Sequence, residues 1–186
     1  MLSIIGGKYK KRTLATPKSE KVRPTTAQLR ETLFNICQHT TPGARFLDLF
    51  AGSGAMGLEA LSRGALHATF VECDRSALAA IKKNIATLHV EQMTTVYSLD
   101  VSKALQHLHD KNESFDLIYI DPPYGQGLGA HVLDFLDRHH LLASGGSIFI
   151  EDSELHEPTL QQLRLFRQKK VGRGYLYEYR IISTDV

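Results

Sequence analysis

The chain has 186 residues, 42% hydrophobic and 23% charged, with a formal net charge of +2. That length suits one well-buried domain rather than two. No stretch reaches the apolar length of a membrane span, and the opening run Met1-Leu2-Ser3-Ile4-Ile5-Gly6 is too short for a signal peptide, so a soluble, cytoplasmic protein is expected.

Cys37 and Cys73 lie far apart inside periodic apolar segments, which argues against a disulfide framework or a zinc site and predicts two buried, reduced thiols. The nine histidines include no pair at metal-binding spacing with a carboxylate beside it, so no metal is expected. Charge is uneven along the chain. Residues 1–30 carry Lys8, Lys10, Lys11, Arg12, Lys18, Lys21, Arg23 and Arg30 against Glu20 alone, a balance of +7 that leaves −5 for the rest. A basic arm on an acidic body is the footprint of a polyanion ligand, because neutralised phosphates release condensed counterions. A basic run alone more often marks a solvated tail, but Ile4, Ile5, Tyr9, Leu14 and Val22 interleave with these charges and predict ordered strands.

From residue 25 onward, helical and strand periods alternate. Thr25 and Thr26 offer N-caps, Thr25 with Gln28 fits a capping box, and Leu29, Leu33, Ile36 and Cys37 form one apolar face before Pro42-Gly43. A first strand at 45–50 runs into the turn Gly52-Ser53-Gly54 and a helix ending at Gly64. A second strand at 68–72 precedes a helix capped by Ser76, with Leu78, Ile81, Ile85 and Leu88 on its apolar face. A third strand at 94–98 leads to Asp100 and a short helix from Ser102. The run Phe115 to Ile120 is a fourth, buried strand, followed by a helix through Val132, Phe135 and Leu136. Ser144-Gly145-Gly146 then turns into a fifth strand at 147–151. Residues 154–162 fit a helix with Pro158 in its first turn, and 163–171 with 175–182 form a hairpin around Gly172-Arg173-Gly174. The pattern predicts a doubly wound α/β fold, a mostly parallel sheet of seven strands with an antiparallel C-terminal edge. Residues 1–40 read as a basic N-terminal extension of hairpin and helix, and 41–186 as the main domain.

Gly52-x-Gly54-x-x-Gly57 follows a strand and opens a helix, with Glu72 closing the next strand. This fits a dinucleotide fingerprint, in which glycines admit close backbone approach and the acid binds ribose hydroxyls. It fits an S-adenosylmethionine site equally well. The flanks separate the two, since Asp48 adds an anion that a pyrophosphate would repel and that the amino group of a methionyl moiety would attract. On that reading Asp48, Gly52, Gly54 and Glu72 hold the cofactor and Asp100 accepts from the adenine amino group. The purely structural alternative is a tight turn with Asp48 as its cap. Three glycines and two acids at the carboxyl ends of adjacent strands favour the ligand site.

Asp121-Pro122-Pro123-Tyr124 closes the fourth strand. The exocyclic amine of a base is a poor nucleophile because its lone pair is delocalised into the ring. Two acceptors aimed at its N–H bonds favour a pyramidal nitrogen with the lone pair directed at an electrophilic methyl. The Asp121 carboxylate supplies one acceptor and the Pro122 carbonyl the other, while the prolines hold the segment extended. Tyr124 can stack on the base. The tetrapeptide is also rich in turn formers, and its place after a buried strand favours chemistry over a mere turn. Gly125, Gln126, Gly127 and Gly129 continue as a flexible loop expected to close over substrate. The motif alone does not distinguish adenine, cytosine, guanine or a protein amide.

Ile4-Ile5-Gly6-Gly7-Lys8-Tyr9-Lys10, Val22-Arg23-Pro24-Thr25-Thr26, Arg30-Glu31-Thr32-Leu33-Phe34-Asn35, Asp48-Leu49-Phe50-Ala51-Gly52-Ser53-Gly54 and Asp121-Pro122-Pro123-Tyr124 together resemble the bacterial small-subunit ribosomal RNA guanine-N2 methyltransferases of the D type. These are class I, Rossmann-like, S-adenosylmethionine-dependent enzymes. The resemblance covers nearly the whole chain, the C-terminal hairpin only loosely. Lys11 departs from it, standing where the family's arm is expected to carry glycine. The resemblance implies methylation of N2 of one guanine in 16S rRNA, within an assembled or partly assembled small subunit, by a monomer. It adds Phe50 and Ala51 to the cofactor site, makes Asp121, Pro122 and Tyr124 catalytic, and assigns Lys8, Lys10, Lys11, Arg12 and Arg23 to RNA. Arg167, Lys169, Lys170 and Arg173 are either further RNA contacts or charges guarding an exposed strand edge. Two other readings compete. An adenine-N6 methyltransferase of DNA or RNA shares the catalytic motif, although the DNA enzymes usually carry a target-recognition region for which this chain has no room. An NAD-dependent oxidoreductase, or a nucleotide-binding module, shares the glycine loop.

Overall fold

A computed structural model describes residues 2–17, 26–123, 127–153 and 158–182. Helix α1 (Ala27–Ile36) starts at Thr26, whose hydroxyl accepts from the Leu29 N–H at 3.2 Å, and buries Leu29, Leu33 and Phe34. Thr25 lies outside the described residues. The chain then runs β1 (Arg45–Asp48), α2 (Ala55–Ser62), β2 (His67–Glu72), α3 (Arg75–Leu88), β3 (Thr94–Ser98), α4 (Val101–Asp110), β4 (Phe115–Ile120) and α5 (Leu128–Arg138). Strands β5 (Leu142–Asp152), β6 (Leu163–Val171) and β7 (Gly174–Ile181) complete it.

The seven strands form one sheet, as the alternating pattern predicts, and their order is β3-β2-β1-β4-β5-β7-β6. β3 through β5 are parallel, and β7 pairs antiparallel with both β5 and β6. β1 and β4 are spatial neighbours, but the chain runs outward from β1 through β2 to β3 before crossing back to β4, so the order reverses between them and opens a crevice at their carboxyl ends. Side chains alternate between the two faces. Phe46, Phe70, Leu117, Tyr119 and Phe149 pack with α1, α2 and the N-terminal residues Ile4 and Leu14. Leu47, Leu49, Val71, Ile118 and Ile150 pack with α4 and α5. Cover on both faces explains why the inner strands read as continuous apolar runs.

The structure differs from the sequence expectation at several ends. Asp74, not Ser76, caps α3, its Oδ1 accepting from the Ala77 N–H at 2.9 Å and from the Ser76 hydroxyl at 2.6 Å. Asp100, not Ser102, caps α4. In both, a carboxylate at the cap both accepts an orphan N–H and complements the helix dipole. β5 begins at Leu142 rather than 147, because Ser144-Gly145-Gly146 is an irregularity inside the strand's pairing with β4. Cys37 is buried as expected, and its thiol is pushed up to about 11 chiefly by that burial, whereas Cys73 is exposed just past the end of β2. Among the described residues no helix is long and apolar enough to cross a membrane.

Residues 158–162 are irregular rather than helical, and 154–157 lie outside the described residues. The physical reason is Asp137 in α5, which is buried and accepts from the backbone N–H groups of Gln161, Gln162 and Leu163 at 2.7, 2.8 and 2.7 Å. These bonds draw the chain straight into β6. Asp137→Ala orphans all three donors and is expected to lower stability by about 2–3 kcal/mol. Urea unfolding of the variant checks this, with Asp137→Asn falling between the two.

Candidate active site

The turn between β1 and α2 is pinned to both neighbouring strands. Leu49 donates to the Tyr119 carbonyl at 3.1 Å and Ala51 to the Val71 carbonyl at 3.0 Å, while Gly54 closes the turn onto the Ala51 carbonyl at 2.7 Å. Gly54 is the N-cap of α2 with φ of 77°, a conformation glycine adopts without strain. Gly57 serves packing: a Cβ there would lie 2.4 Å from the Phe70 ring, so its absence lets α2 settle onto β2. Glu72 is oriented by three backbone donors, Gly52 N–H to Oε2 and the Cys73 and Asp74 N–H groups to Oε1, each at 2.8 Å.

Asp48 is 1% exposed and neither carboxylate oxygen has a hydrogen-bond partner. Burial pushes its pKa up to about 7, and Glu72 pushes the same way. The backbone at Phe50 and Gly57 pulls it down without reaching hydrogen-bond geometry. Beside it Tyr119, equally buried, donates its hydroxyl to Glu151 Oε2 at 3.0 Å. Burial raises the Tyr119 pKa well above the usual phenol value, and Asp121, Glu151 and Asp48 each raise it further. Three carboxylates at the ends of β1, β4 and β5 thus surround one neutral phenol. A site with that field attracts cations and resists phosphates.

The structure brings Asp48, Ala51, Gly52, Gly54, Glu72, Asp121 and Pro122 to the carboxyl edge of β1, β2 and β4. Pro122 is buried and Asp121 half-buried, and Tyr124 lies outside the described residues. Phe50 is half-buried against the cluster that packs with α4 and α5. Asp100 lies past the end of β3, exposed, with Oδ1 accepting from the Lys103 N–H at 3.1 Å and Oδ2 3.2 Å from Lys103 Nζ.

The N-terminal residues form a tight loop closed by the Ser3–Thr13 bridge, with Ile4 donating to the Arg12 carbonyl at 3.0 Å and Lys11 to the Ile4 carbonyl at 2.9 Å. Lys8, Lys10, Lys11 and Arg12 are exposed on it, and Arg23 lies outside the described residues. Arg30, counted with the basic arm in the sequence, is buried and donates to the Ser3 carbonyl at 3.0 Å, so it holds the arm instead of extending it. Three further side chains that the sequence reading missed fix the arm. Glu59, fully buried in α2, accepts from Ile5 and Gly6 N–H at 2.8 Å each. Ser62 accepts from the Tyr9 N–H at 2.9 Å, and a Cβ on Gly7 would meet its carbonyl oxygen at 1.8 Å. Asn84 accepts from the Ala15 N–H at 2.7 Å and donates to the carbonyls of Ala15 at 3.0 Å and Ser53 at 2.9 Å, linking arm to glycine turn. Their signals were polar residues in apolar positions, Glu59 inside Ala55–Ser62 and Asn84 on the stripe of Ile81 and Leu88.

Lys11 has φ of 69°, the left-handed region that favours glycine, at the very position where a glycine was expected. Lys11→Gly is therefore expected to relieve strain and raise stability by about 0.5–1 kcal/mol, read as an increase in Tm.

A doubly wound sheet with a glycine turn after β1, an oriented acid closing β2 and Asp-Pro-Pro closing β4 defines a Rossmann-like methyltransferase. Residues 2–180 match the family described as Conserved hypothetical protein 95, and the chain belongs to that family. Ribosomal RNA small subunit methyltransferase D of Escherichia coli strain K12 is 39% identical over 187 residues, which cover 99% of this chain and 90% of that protein. The protein of the same name from Haemophilus influenzae is 34% identical, covering 97% and 93%. The solved structure of yhhF from Escherichia coli is similar with a TM-score of 0.85 at 34% identity, covering 98% of this chain and 99% of that one.

Proposed function

We propose that this chain transfers a methyl group from S-adenosyl-L-methionine to the exocyclic N2 amine of one guanine in 16S rRNA, as a cytoplasmic monomer acting on an assembled or partly assembled small subunit. The observation that carries the cofactor assignment is Asp48, a buried carboxylate with no donor. Such a group is costly until a cation completes it. A pyrophosphate would add negative charge beside Glu72, whereas an ammonium and a sulfonium add the charge this site lacks. When bound, S-adenosylmethionine supplies a methyl group on a sulfonium sulfur that an amine nitrogen can attack. Asp48 would meet the ammonium, Glu72 the ribose hydroxyls and Asp100 the adenine amino group, with Phe50, Ala51, Gly52 and Gly54 forming the wall.

Asp121 and the Pro122 carbonyl hold the two N–H bonds of the target amine, and Tyr124 stacks on the base. Their contribution is positioning and preorganised charge, with no covalent enzyme intermediate. The surplus proton leaves after transfer through Asp121 or water. An rRNA substrate is supported by the relatives named as small-subunit rRNA methyltransferases and by the exposed Lys8, Lys10, Lys11 and Arg12. Residues 1–40, including Arg23, act as the RNA clamp on a catalytic domain of residues 41–186. A base in an RNA loop enters the pocket at little cost because it is already unstacked. Guanine rests on the resemblance to the D-type enzymes.

Calorimetry with S-adenosylhomocysteine and with NAD, followed by tritium transfer from labelled S-adenosylmethionine to small subunits, tests the reading. Binding of S-adenosylhomocysteine with label in 16S rRNA is expected; tight NAD binding, or no label in 16S rRNA when a DNA duplex offered in parallel is labelled, would contradict it.

A further inference from the structure

β6 is the open edge of the sheet, and residues 164–170 along it are all exposed. Between 163 and 182 the chain carries Arg164, Arg167, Lys169, Lys170, Arg173 and Arg180 against Glu178 alone. The ladder slips in the middle of this edge: Leu165 pairs with Tyr179 and Arg167 with Glu178, leaving Phe166 as the extra residue of a bulge. Bulges at sheet edges re-aim a side chain, and Phe166 is 45% exposed. The Arg180 guanidinium carbon lies 3.5 Å from its ring centroid and that of Arg167 lies 5.8 Å away. Both arginines are fixed by Glu178, which is 1% exposed. Its Oε1 accepts from Arg180 Nε at 2.8 Å, from Arg180 Nη2 at 2.6 Å and from the Ser147 hydroxyl at 3.1 Å, and its Oε2 lies 3.4 Å from Arg167 Nε.

Lysines alone suffice to guard an edge against pairing. A lifted aromatic ring framed by two anchored arginines goes beyond that need and has the makings of a stacking platform beside phosphate contacts, the combination that single-stranded nucleic acid requires. The excess of six cations over one buried carboxylate selects a polyanion over an apolar or basic peptide, and the exposed ring among them favours a nucleic acid, whose bases stack, over an acidic peptide. We infer that the β6 edge is a second RNA-docking surface, on which an unpaired base of the rRNA stacks on Phe166 while Arg164, Arg167, Lys169 and Lys170 hold the flanking phosphates. This rests on the rRNA reading above. The place in the fold agrees. Glu178 pairs with Phe149, and Phe149 with Tyr119, so Phe166 stands three strand spacings, about 14 Å, from the row of Tyr119. Phe149 and Leu176 share their core with Ile4 and Leu14 of the arm, and Glu178 is paired with Phe149, so the arm and the anchor of the platform lie on one side of the sheet.

Steady-state kinetics on small subunits test it. Phe166→Ala is expected to raise KM for the subunit roughly tenfold, with kcat moved far less, and Phe166→Trp to restore it. Lys169→Glu with Lys170→Glu should flatten the salt dependence of KM. S-adenosylhomocysteine calorimetry on each variant verifies the fold. A KM for Phe166→Ala within twofold of wild type overturns the inference, as does sizing that shows the edge pairing two copies of the chain. If the wild type itself methylates no small subunit, the rRNA reading fails and takes this surface with it; a wild type that is active, with Phe166→Ala indistinguishable from it, refutes the surface alone.

Discussion

Replacing Asp121 by alanine is expected to cut methyl transfer to small subunits by roughly 10²–10³-fold while leaving S-adenosylhomocysteine affinity within about twofold. The carboxylate follows the end of β4, the strand next to β1, and on the proposed mechanism its loss removes an acceptor for the amine rather than a wall of the cofactor pocket. The defect belongs in kcat, because the acceptor matters most when the nitrogen turns pyramidal and gains positive charge. Asp121→Asn keeps one oxygen without the charge and should fall between alanine and wild type. Equal activity of wild type and Asp121→Ala in single-turnover assays would remove Asp121 from the mechanism.

The second large effect concerns Asp48, where stability and affinity are expected to move in opposite directions. Its folded pKa is raised to about 7 from an ordinary 3.8, chiefly by burial. A carboxylate raised on folding contributes stability below its unfolded pKa and loses that contribution as pH rises through the folded value. Wild type therefore weakens between about pH 4 and pH 7, and Asp48→Asn does not. The variant should melt higher than wild type at pH 8, with the difference shrinking toward pH 5. Affinity for S-adenosylhomocysteine, in contrast, is expected to fall roughly 10- to 100-fold in Asp48→Asn, since the ammonium loses its buried partner. A bound cation holds Asp48 ionised, so wild-type affinity climbs as pH rises toward 7 and levels off above it. The climb should be absent in the variant. Calorimetry at pH 6 and pH 8 measures both, and an affinity that is flat with pH in wild type would detach Asp48 from the cofactor.

Elements whose stabilising partners lie nearby in sequence were legible in it. The apolar run Phe115 to Ile120, the glycines after β1 and the hairpin about Gly172 each announce themselves within ten residues, and all three stand where expected. Asp48, Glu72 and Asp121 were placed together because parallel strands deliver their carboxyl ends to one edge. What escaped depends on distant partners. Glu59 meets backbone 53 and 54 residues away, Asn84 meets Ala15 at a separation of 69, and Asp137 shapes residues 24 to 26 positions later. Nothing in a local window reports such bonds except a polar residue in an apolar stripe. Phe166 escaped for another reason, since period-two alternation assumes a regular ladder and the bulge breaks it. Arg30 shows the limit of charge counting: its sign is evident, but its burial beneath the arm belongs to the tertiary structure.

The most direct test is mass spectrometry of the nucleosides from 16S rRNA of small subunits isolated from a strain lacking this enzyme, before and after incubation with the purified chain and S-adenosylmethionine. The expected result is one N2-methylguanosine per subunit that is missing before incubation and restored after it. Restoration of a methyladenosine, or no new methylated nucleoside at all, would contradict the assignment.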